Sequence, residues 1–558
     1  MSPRGFDTVV VGAGTAGCAV AARLSEDPAH RVLLIEAGGS NRVPQVRIPL
    51  AFGAQFGSRL DWDYRCEPEP TYGGRVLAQP RGRMLGGSSS MNLMLYIRGN
   101  HLDYDDWCAR GAGGWSYREV LPFFRRSEHN EEIRDDYHGV GGPLGVTTIP
   151  SPDLLSDDWI NAALAAGIPS NNDFNGATQD GVGRPQVTQR RGARQDSATA
   201  FLRPARDRPN LTILTGALVD RVRLRRGRAV AVEYIRRGRP HVAVATGQIV
   251  LCGGTFGSAE ILQRSGIGPP GRLRAVGVPI QVAQPAVGAN LAEHPLVSIH
   301  FESASGAVGL NDVTGRGNLP RFRYLAEWAL RRTGKLTSNV GEALAHVRSD
   351  PALAAPDLQL LFAPVFFSAD GHRHPVPAVT MGASYLTPAG TGSVLICSRR
   401  PDTTASVRLN LVSTDEELAA CLHALEVLRD IAARRPLAHH LGRALIPGGD
   451  RASLVDHIRQ TGAHTFHASG SVRMGDPEDS AVDERLRVYG VDGLRVADAS
   501  VFPIIPRGNT NAPALMVGER CADFIREETA TDFPRTTNGV ENGEVRCAGK
   551  PGAERYHR

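Results

Sequence analysis

The 558-residue chain has no Cys-x-x-Cys pair. Its eight cysteines stand far apart, so neither a zinc site nor a redox dithiol is indicated. They read as free thiols, which suit a reducing compartment. No apolar run reaches the about 18 residues that a membrane-spanning helix needs. No signal peptide is expected, because the first strand starts within the opening ten residues. These absences predict a cytoplasmic protein with no integral membrane segment. A strong charge of one sign is also lacking, since the net charge is +5. The arginines fall in short separate clusters, as at Arg221, Arg223, Arg225 and Arg226, rather than in one stripe. That excludes nucleic acid as an expected partner. No internal repeat is visible. What remains is an ordinary globular composition, 41% hydrophobic and 22% charged. Its length allows about two or three domain-sized units.

Glycine is plentiful, with 62 residues, and much of it lies in four blocks. The first opens the chain. The apolar run Asp7-Thr8-Val9-Val10-Val11 reads as a buried strand and leads into Gly12-Ala13-Gly14-Thr15-Ala16-Gly17. A helical stretch follows through Leu24, then a second run, Val32-Leu33-Leu34-Ile35, ending on Glu36. This is the dinucleotide fingerprint in its βαβ context. Gly12 permits the tight turn, Gly14 the approach of a pyrophosphate, and Gly17 close packing of helix on strand. The helix N-terminus offers free N–H groups to phosphate, and Glu36 is placed to accept from the adenosine ribose. The motif alone does not separate FAD from NAD.

The second block spans residues 80–99 and centres on Gly86-Gly87-Ser88-Ser89-Ser90-Met91-Asn92. The third, from Cys252-Gly253-Gly254 to Gly268, reads as strand, glycine turn and helix. The fourth contains His464-Thr465-Phe466-His467, continues through Val496-Ala497-Asp498-Ala499, and reaches Gly508-Asn509-Thr510-Asn511-Ala512-Pro513.

Four such blocks in this order resemble the glucose–methanol–choline (GMC) oxidoreductases, over about residues 6–526. The resemblance implies an α/β (α+β) fold: a Rossmann-like FAD-binding domain with an antiparallel-sheet substrate-binding domain. It implies oxidation of an alcohol to a carbonyl by hydride transfer to flavin N5, with O₂ or a quinone-type acceptor reoxidising the flavin. Gly12, Gly14, Gly17 and Glu36 match the adenosine-diphosphate site. Ser88, Asn92, Leu93, Met94 and Leu95 match the stretch along pyrophosphate and isoalloxazine. Val219 matches a backbone contact to adenine, and Asp498 and Ala499 the ribityl–phosphate region. Thr15, Ala16, Met84 and Thr510 complete the expected cofactor surface. His467 matches the active-site histidine, and Asn509 a second catalytic position that is His or Asn. The chemistry agrees: histidine has the pKa range of a general base, and a neutral amide can hold the alcohol oxygen.

FAD is expected without a covalent link, because Met91, beside Ser90, stands where an attaching histidine would be. His464 and His294 are expected to be structural. Arg507 departs from the family pattern and is left between pocket and surface, with the surface favoured. A lyase of the same fold and a non-catalytic FAD-binding protein are the alternatives. The choice among choline, aryl or alkyl alcohols and sugar or aminoglycoside hydroxyls stays open, as does the oligomeric state.

The expected organisation is a cofactor domain over 1–300, a substrate domain over 301–455, a return to the cofactor domain over 456–528, and a disordered tail over 529–558. Residues 101–127 predict a helix pair around Trp107 and Trp115, and Asp415–Arg434 a helix. A stretch rich in Gly, Asn and Asp runs from 138 to 183, and no element is assigned within it. Leu211–Leu214 and Val230–Tyr234 predict strands of a small sheet, and Gln248–Cys252 a buried strand.

Overall fold

The computed structural model of the chain describes residues 5–304, 309–314, 319–367, 376–445 and 449–532. The opening βαβ unit forms as its pattern dictates: β1 (Phe6–Val11), α1 (Thr15–Leu24) and β2 (Val32–Ile35). Continuous apolar runs make strands buried on both faces, and β1 and β2 pair in parallel, Thr8 opposite Val32. Gly12 turns the chain at φ +98°, and a Cβ there would lie 2.3 Å from the Cys252 carbonyl oxygen. Only glycine fits this corner.

The parallel strands run in the order Leu211–Leu214, β2, β1, Arg239–Leu251, with Leu494–Val496 on the far side. The strand Arg239–Leu251 is long enough to serve two partnerships. Its C-terminal half pairs in parallel with β1, and its N-terminal half forms an antiparallel meander with Arg228–Arg236 and Ala217–Arg225. Leu211–Leu214 therefore corrects the expectation of a small separate sheet: it extends the main sheet along β2. A four-residue apolar run specifies a strand but not its neighbour.

The second sheet is antiparallel. Its order is Leu441–Ala444, Pro295–Ser303, Ala378–Tyr385, Leu358–Ala363, Ala343–Val347 and Gly181–Gly183, with Ala463–His464 paired to Pro295 and Leu296. Some of these strands lie outside residues 301–455. The sheet is completed by short segments whose polarity resembles that of loops.

Helices His101–Ala109 and Tyr117–Ser127 flank Trp115. Trp107 and Trp115 are fully buried and donate to the carbonyls of Ile504 and Glu484, at 3.1 and 2.8 Å. Asp415–Ala433 is helical, capped by Thr414. Several helices among the described residues were not foreseen. Leu154–Ala165 lies inside the Gly- and Asn-rich region, with Asp153 capping it and Leu155, Trp159, Ala162 and Ala163 inward. That spacing is the signal that identifies it. Leu319–Arg331 and Arg451–Thr461 are two more. The C-terminal helix Asn511–Asp532 runs beyond the expected tail boundary at 529. The rest of that tail lies outside the described residues.

Candidate active site

One cavity of about 1340 Å³ runs between the two sheets. The end nearest the fingerprint is lined by Gly12, Gly14, Thr15, Ala16 and Glu36, and by Val219 of the meander. Gly14 caps α1 without any side-chain hydrogen bond, so the first-turn N–H groups of α1 are left to the cavity. Glu36 accepts from Ala13 N and Gly38 N, both at 2.8 Å. Burial raises its carboxyl against these two donors, and lone pairs remain for a ribose hydroxyl. The middle is lined by Ser88, Asn92, Leu93, Met94, Leu95, Asp498, Ala499 and Thr510. The Asp498 carboxylate is already committed, accepting from Gly254 N, Ser258 Oγ and Ser500 N. The backbone of 498–499 thus faces the cavity from a fixed corner. Thr15 Oγ1 donates to Asn511 Oδ1 at 2.7 Å, joining the first turns of α1 and the C-terminal helix. Both helices present positive ends to the same space.

Two expected cofactor residues lie elsewhere. Gly17 does not line the cavity: a Cβ on it would sit 2.0 Å from the Gly12 carbonyl oxygen, so its part is helix–strand packing. Met84 is fully buried with Val46 and Met91, and is a packing residue rather than a contact. Met91 itself lines the cavity.

At the far end stand His467 and Asn509. Asn509 Nδ2 lies 3.0 Å from His467 Nε2. Nδ2 carries only protons, so Nε2 accepts and the ring proton sits on Nδ1. Gln359 fixes the amide orientation by donating from Nε2 to Asn509 Oδ1 at 3.4 Å. On the other side of the ring, His467 Nδ1 lies 2.8 Å from Thr465 Oγ1, which in turn donates to Glu293 Oε1 at 3.4 Å. His294 Nδ1 faces the same proton at 3.1 Å. Burial pushes the His467 pKa well below the usual histidine range, and His294, Arg81 and His464 add to this. The ring is therefore neutral, with its lone pair on the cavity side.

Glu293 is the hub behind this ring. Its side chain is fully buried and accepts from the backbone N–H of His467 at 2.7 Å and of His294 at 3.0 Å, and from Gln79 Nε2 at 3.0 Å. Arg81 stands beside it and donates to the Phe466 carbonyl at 2.8 Å. Phe466 is held at φ +65°, a region rare for a residue with a Cβ. That turn lies between His464 and His467. His464 Nε2 donates to Ala78 O at 3.0 Å, and its Nδ1 accepts from Phe466 N at 3.2 Å. Both ring nitrogens of His464 are thus engaged, and Nδ1 also accepts from Gln79 Nε2 at 3.3 Å.

Sequence reasoning missed Glu293, Thr465 and Gln359. Glu293 and His294 lie next to each other and far from the fourth block, so no local spacing links them to it. Arg507 is neither in the cavity nor on the open surface. It forms an ion pair with the buried Asp103, whose Oδ2 also accepts from Arg507 N at 2.7 Å. This anchors the chain two residues before Asn509 to the helix His101–Ala109.

The GMC oxidoreductase family matches this chain twice, over residues 6–296 and 388–518. A GMC-type oxidoreductase of Mycobacterium tuberculosis, itself uncharacterised, is 40% identical over 93% of this chain and 99% of its own length. An oxygen-dependent choline dehydrogenase of Burkholderia pseudomallei is 37% identical over 99% of both chains. Among solved structures, pyridoxine 4-oxidase from Mesorbium loti superposes with a TM-score of 0.85 at 32% identity, covering 94% of this chain and 99% of that one. With a fingerprint, a cavity and a fold that all suit FAD, the chain belongs to the GMC oxidoreductases, a family of FAD-dependent oxidoreductases.

Proposed function

We propose that the chain oxidises an alcohol to an aldehyde or ketone, with His467 as base and Asn509 as the group that orients the oxygen. FAD, when bound, would supply the two-electron acceptor for the hydride, to be reoxidised by O₂ or another acceptor. Gly12, Gly14, Thr15, Ala16 and Glu36 hold its adenosine-diphosphate half, and the backbone of 88–95 and 498–499 the remainder. An alcohol oxygen entering between the pair accepts from Asn509 Nδ2 and donates its proton to His467 Nε2, replacing their direct contact. Thr465, His294 and Glu293 keep the ring proton on Nδ1, so Nε2 is the atom that receives. The C–H bond of the same carbon is then free to face the cofactor.

The observation that supports this most directly is the neutral His467 with its acceptor nitrogen turned to a neutral amide, at the end of the cavity that begins at the fingerprint. The yellow holoprotein, mixed anaerobically with a primary alcohol, should bleach. A spectrum that no alcohol changes would remove this reading. The cofactor is held without a covalent bond, since neither Met91 nor Ser90 can form a histidyl link. Acid precipitation should leave the yellow colour in the supernatant, and colour in the washed pellet would contradict this.

A further inference from the structure

The floor of the cavity beyond Asn509 is one face of the antiparallel sheet, and cross-strand register fixes its composition. The first row pairs Gln359, Ser384 and Leu296, beside the His467–Asn509 pair. The second pairs Leu361, Gly382 and Ser298, and the third Ala363, Thr380 and His300. Polar side chains stand in the outer rows: Gln359 and Ser384 beside the reacting pair, and Thr380 and His300 in the third row, where Thr380 Oγ1 lies 3.0 Å from His300 Nδ1 and donates to the Val365 carbonyl; a small residue stands at the centre. A Cβ built on Gly382 would meet only Leu296 Cδ1 at 3.2 Å and Val297 O at 3.9 Å. Its backbone is of ordinary conformation, so glycine serves here to leave room.

A second part of the lining is aromatic. Phe367, Phe52, Phe56 and Phe466 follow one another with ring centroids 6.2, 5.9 and 6.0 Å apart, and all four line the cavity. Among the described residues, five carboxylates line the cavity, and each already has partners. Glu36 and Asp498 are held as described above. Asp61 accepts from the N–H of Gly57, Asp63 and Arg81. Asp63 pairs with Arg65, and Glu260 with Arg264 and Tyr64. A buried cation would find rings but no uncommitted counter-charge, and an unpaired buried charge is costly.

We infer that the substrate is an uncharged alcohol with an apolar, ring-sized body, and that Gly382 sets the size admitted. This rests on the reading of His467 and Asn509 as the oxidising pair. The chain would thus differ from the choline dehydrogenases it resembles in the charge of what it accepts.

The test uses the FAD-loaded full chain. Two non-oxidisable probes report binding through the flavin absorbance, independently of catalysis: dimethylphenylcarbinol, a tertiary aryl alcohol, and tetramethylammonium. Three oxidisable ones report flavin reduction: benzyl alcohol, choline, and the carbon isostere of choline in which tert-butyl replaces trimethylammonium. The carbinol should bind more tightly than tetramethylammonium. The isostere should reduce the flavin at least about tenfold more efficiently than choline, a ratio that needs only about 1.4 kcal/mol. Gly382→Leu should cost benzyl alcohol roughly 100-fold and leave ethanol within about threefold, as pocket filling does. Tighter tetramethylammonium binding, choline equal to its isostere, or equal losses for benzyl alcohol and ethanol would each overturn the inference while alcohol oxidation stood. Tight carbinol binding with no reduction by any alcohol would instead remove the oxidising role and leave the pocket assignment intact.

Discussion

Asn509 determines how His467 can act. Its amide presents N–H to Nε2 because its oxygen is held by Gln359, so the base is kept in one tautomer before substrate arrives. Asn509→Ala should slow flavin reduction by about tenfold, less than loss of the base, because it removes one neutral hydrogen bond. A pH prediction follows from the depressed His467 pKa. A base must be neutral to accept. A histidine at its ordinary value of 6.5 would lose activity as pH fell through 6.5. With the pKa held well below that, the rate of flavin reduction should stay flat as pH falls from neutral through 6.5. A limb centred at or above 6.5 in that rate would show that the ring is not in the buried, neutral state described here. At this scale the fourth block named both residues, since they lie in recognisable glycine-flanked segments, and the fold brings them within 3.0 Å of each other. It did not reveal Glu293 or Gln359, whose roles come from the pairing of Pro295 with His464 and of Gln359 with Ser384. Strand register of that kind is set by tertiary packing.

Between elements, the ion pair of Arg507 with Asp103 carries the loop that holds Asn509. Asp103 is also the third residue of its helix and closes a capping box with Asn100. Arg507→Ala would leave a buried carboxylate without its charge partner, at a cost of about 3 kcal/mol. The expected result is a lower melting temperature together with a slower flavin reduction, and an unchanged melt would place the pair among the inert ones. The opening strand–helix–strand unit was legible because each of its parts carries its own signal: an apolar run, a glycine corner, a second run ending in Glu36. The helices His101–Ala109, Tyr117–Ser127 and Asp415–Ala433 were legible for the same reason. Leu154–Ala165 was masked by glycines and prolines before it and by glycines and asparagines after it, although its own inward spacing is helical. Leu211–Leu214 was readable as a strand, but its place beside β2 depends on partners far away in sequence.

For the whole molecule, stability should fall on both sides of neutrality, for opposite reasons. Burial pushes His294 to about 4 and His346 to about 3. Their contributions are present above the unfolded value of about 6.5 and are lost as pH falls through the lower values. His138 is the reverse. Burial opposes its charge, but its hydrogen bonds to Asp173 and Glu128 prevail and raise it to about 9. Its contribution is full below about 6.5 and is lost as pH rises through about 9. Melting temperature measured against pH should therefore peak near neutrality. His138→Gln should flatten only the alkaline side, and flattening of the acid side would contradict the assignment.

Of the two histidines in the fourth block, His467 is proposed as the base. His467 has an acceptor nitrogen on the cavity, whereas both nitrogens of His464 are engaged by backbone. The direct test is anaerobic stopped-flow reduction of FAD-loaded His467→Ala and His464→Ala by whichever alcohol bleaches the parent. His467→Ala should slow by about 10²–10⁴-fold with flavin still bound, as loss of a positioned base does. His464→Ala, where it folds, should stay within about tenfold, because it loses only neutral hydrogen bonds, to backbone and to the Gln79 amide. A crippled His464→Ala beside a nearly normal His467→Ala would contradict the account.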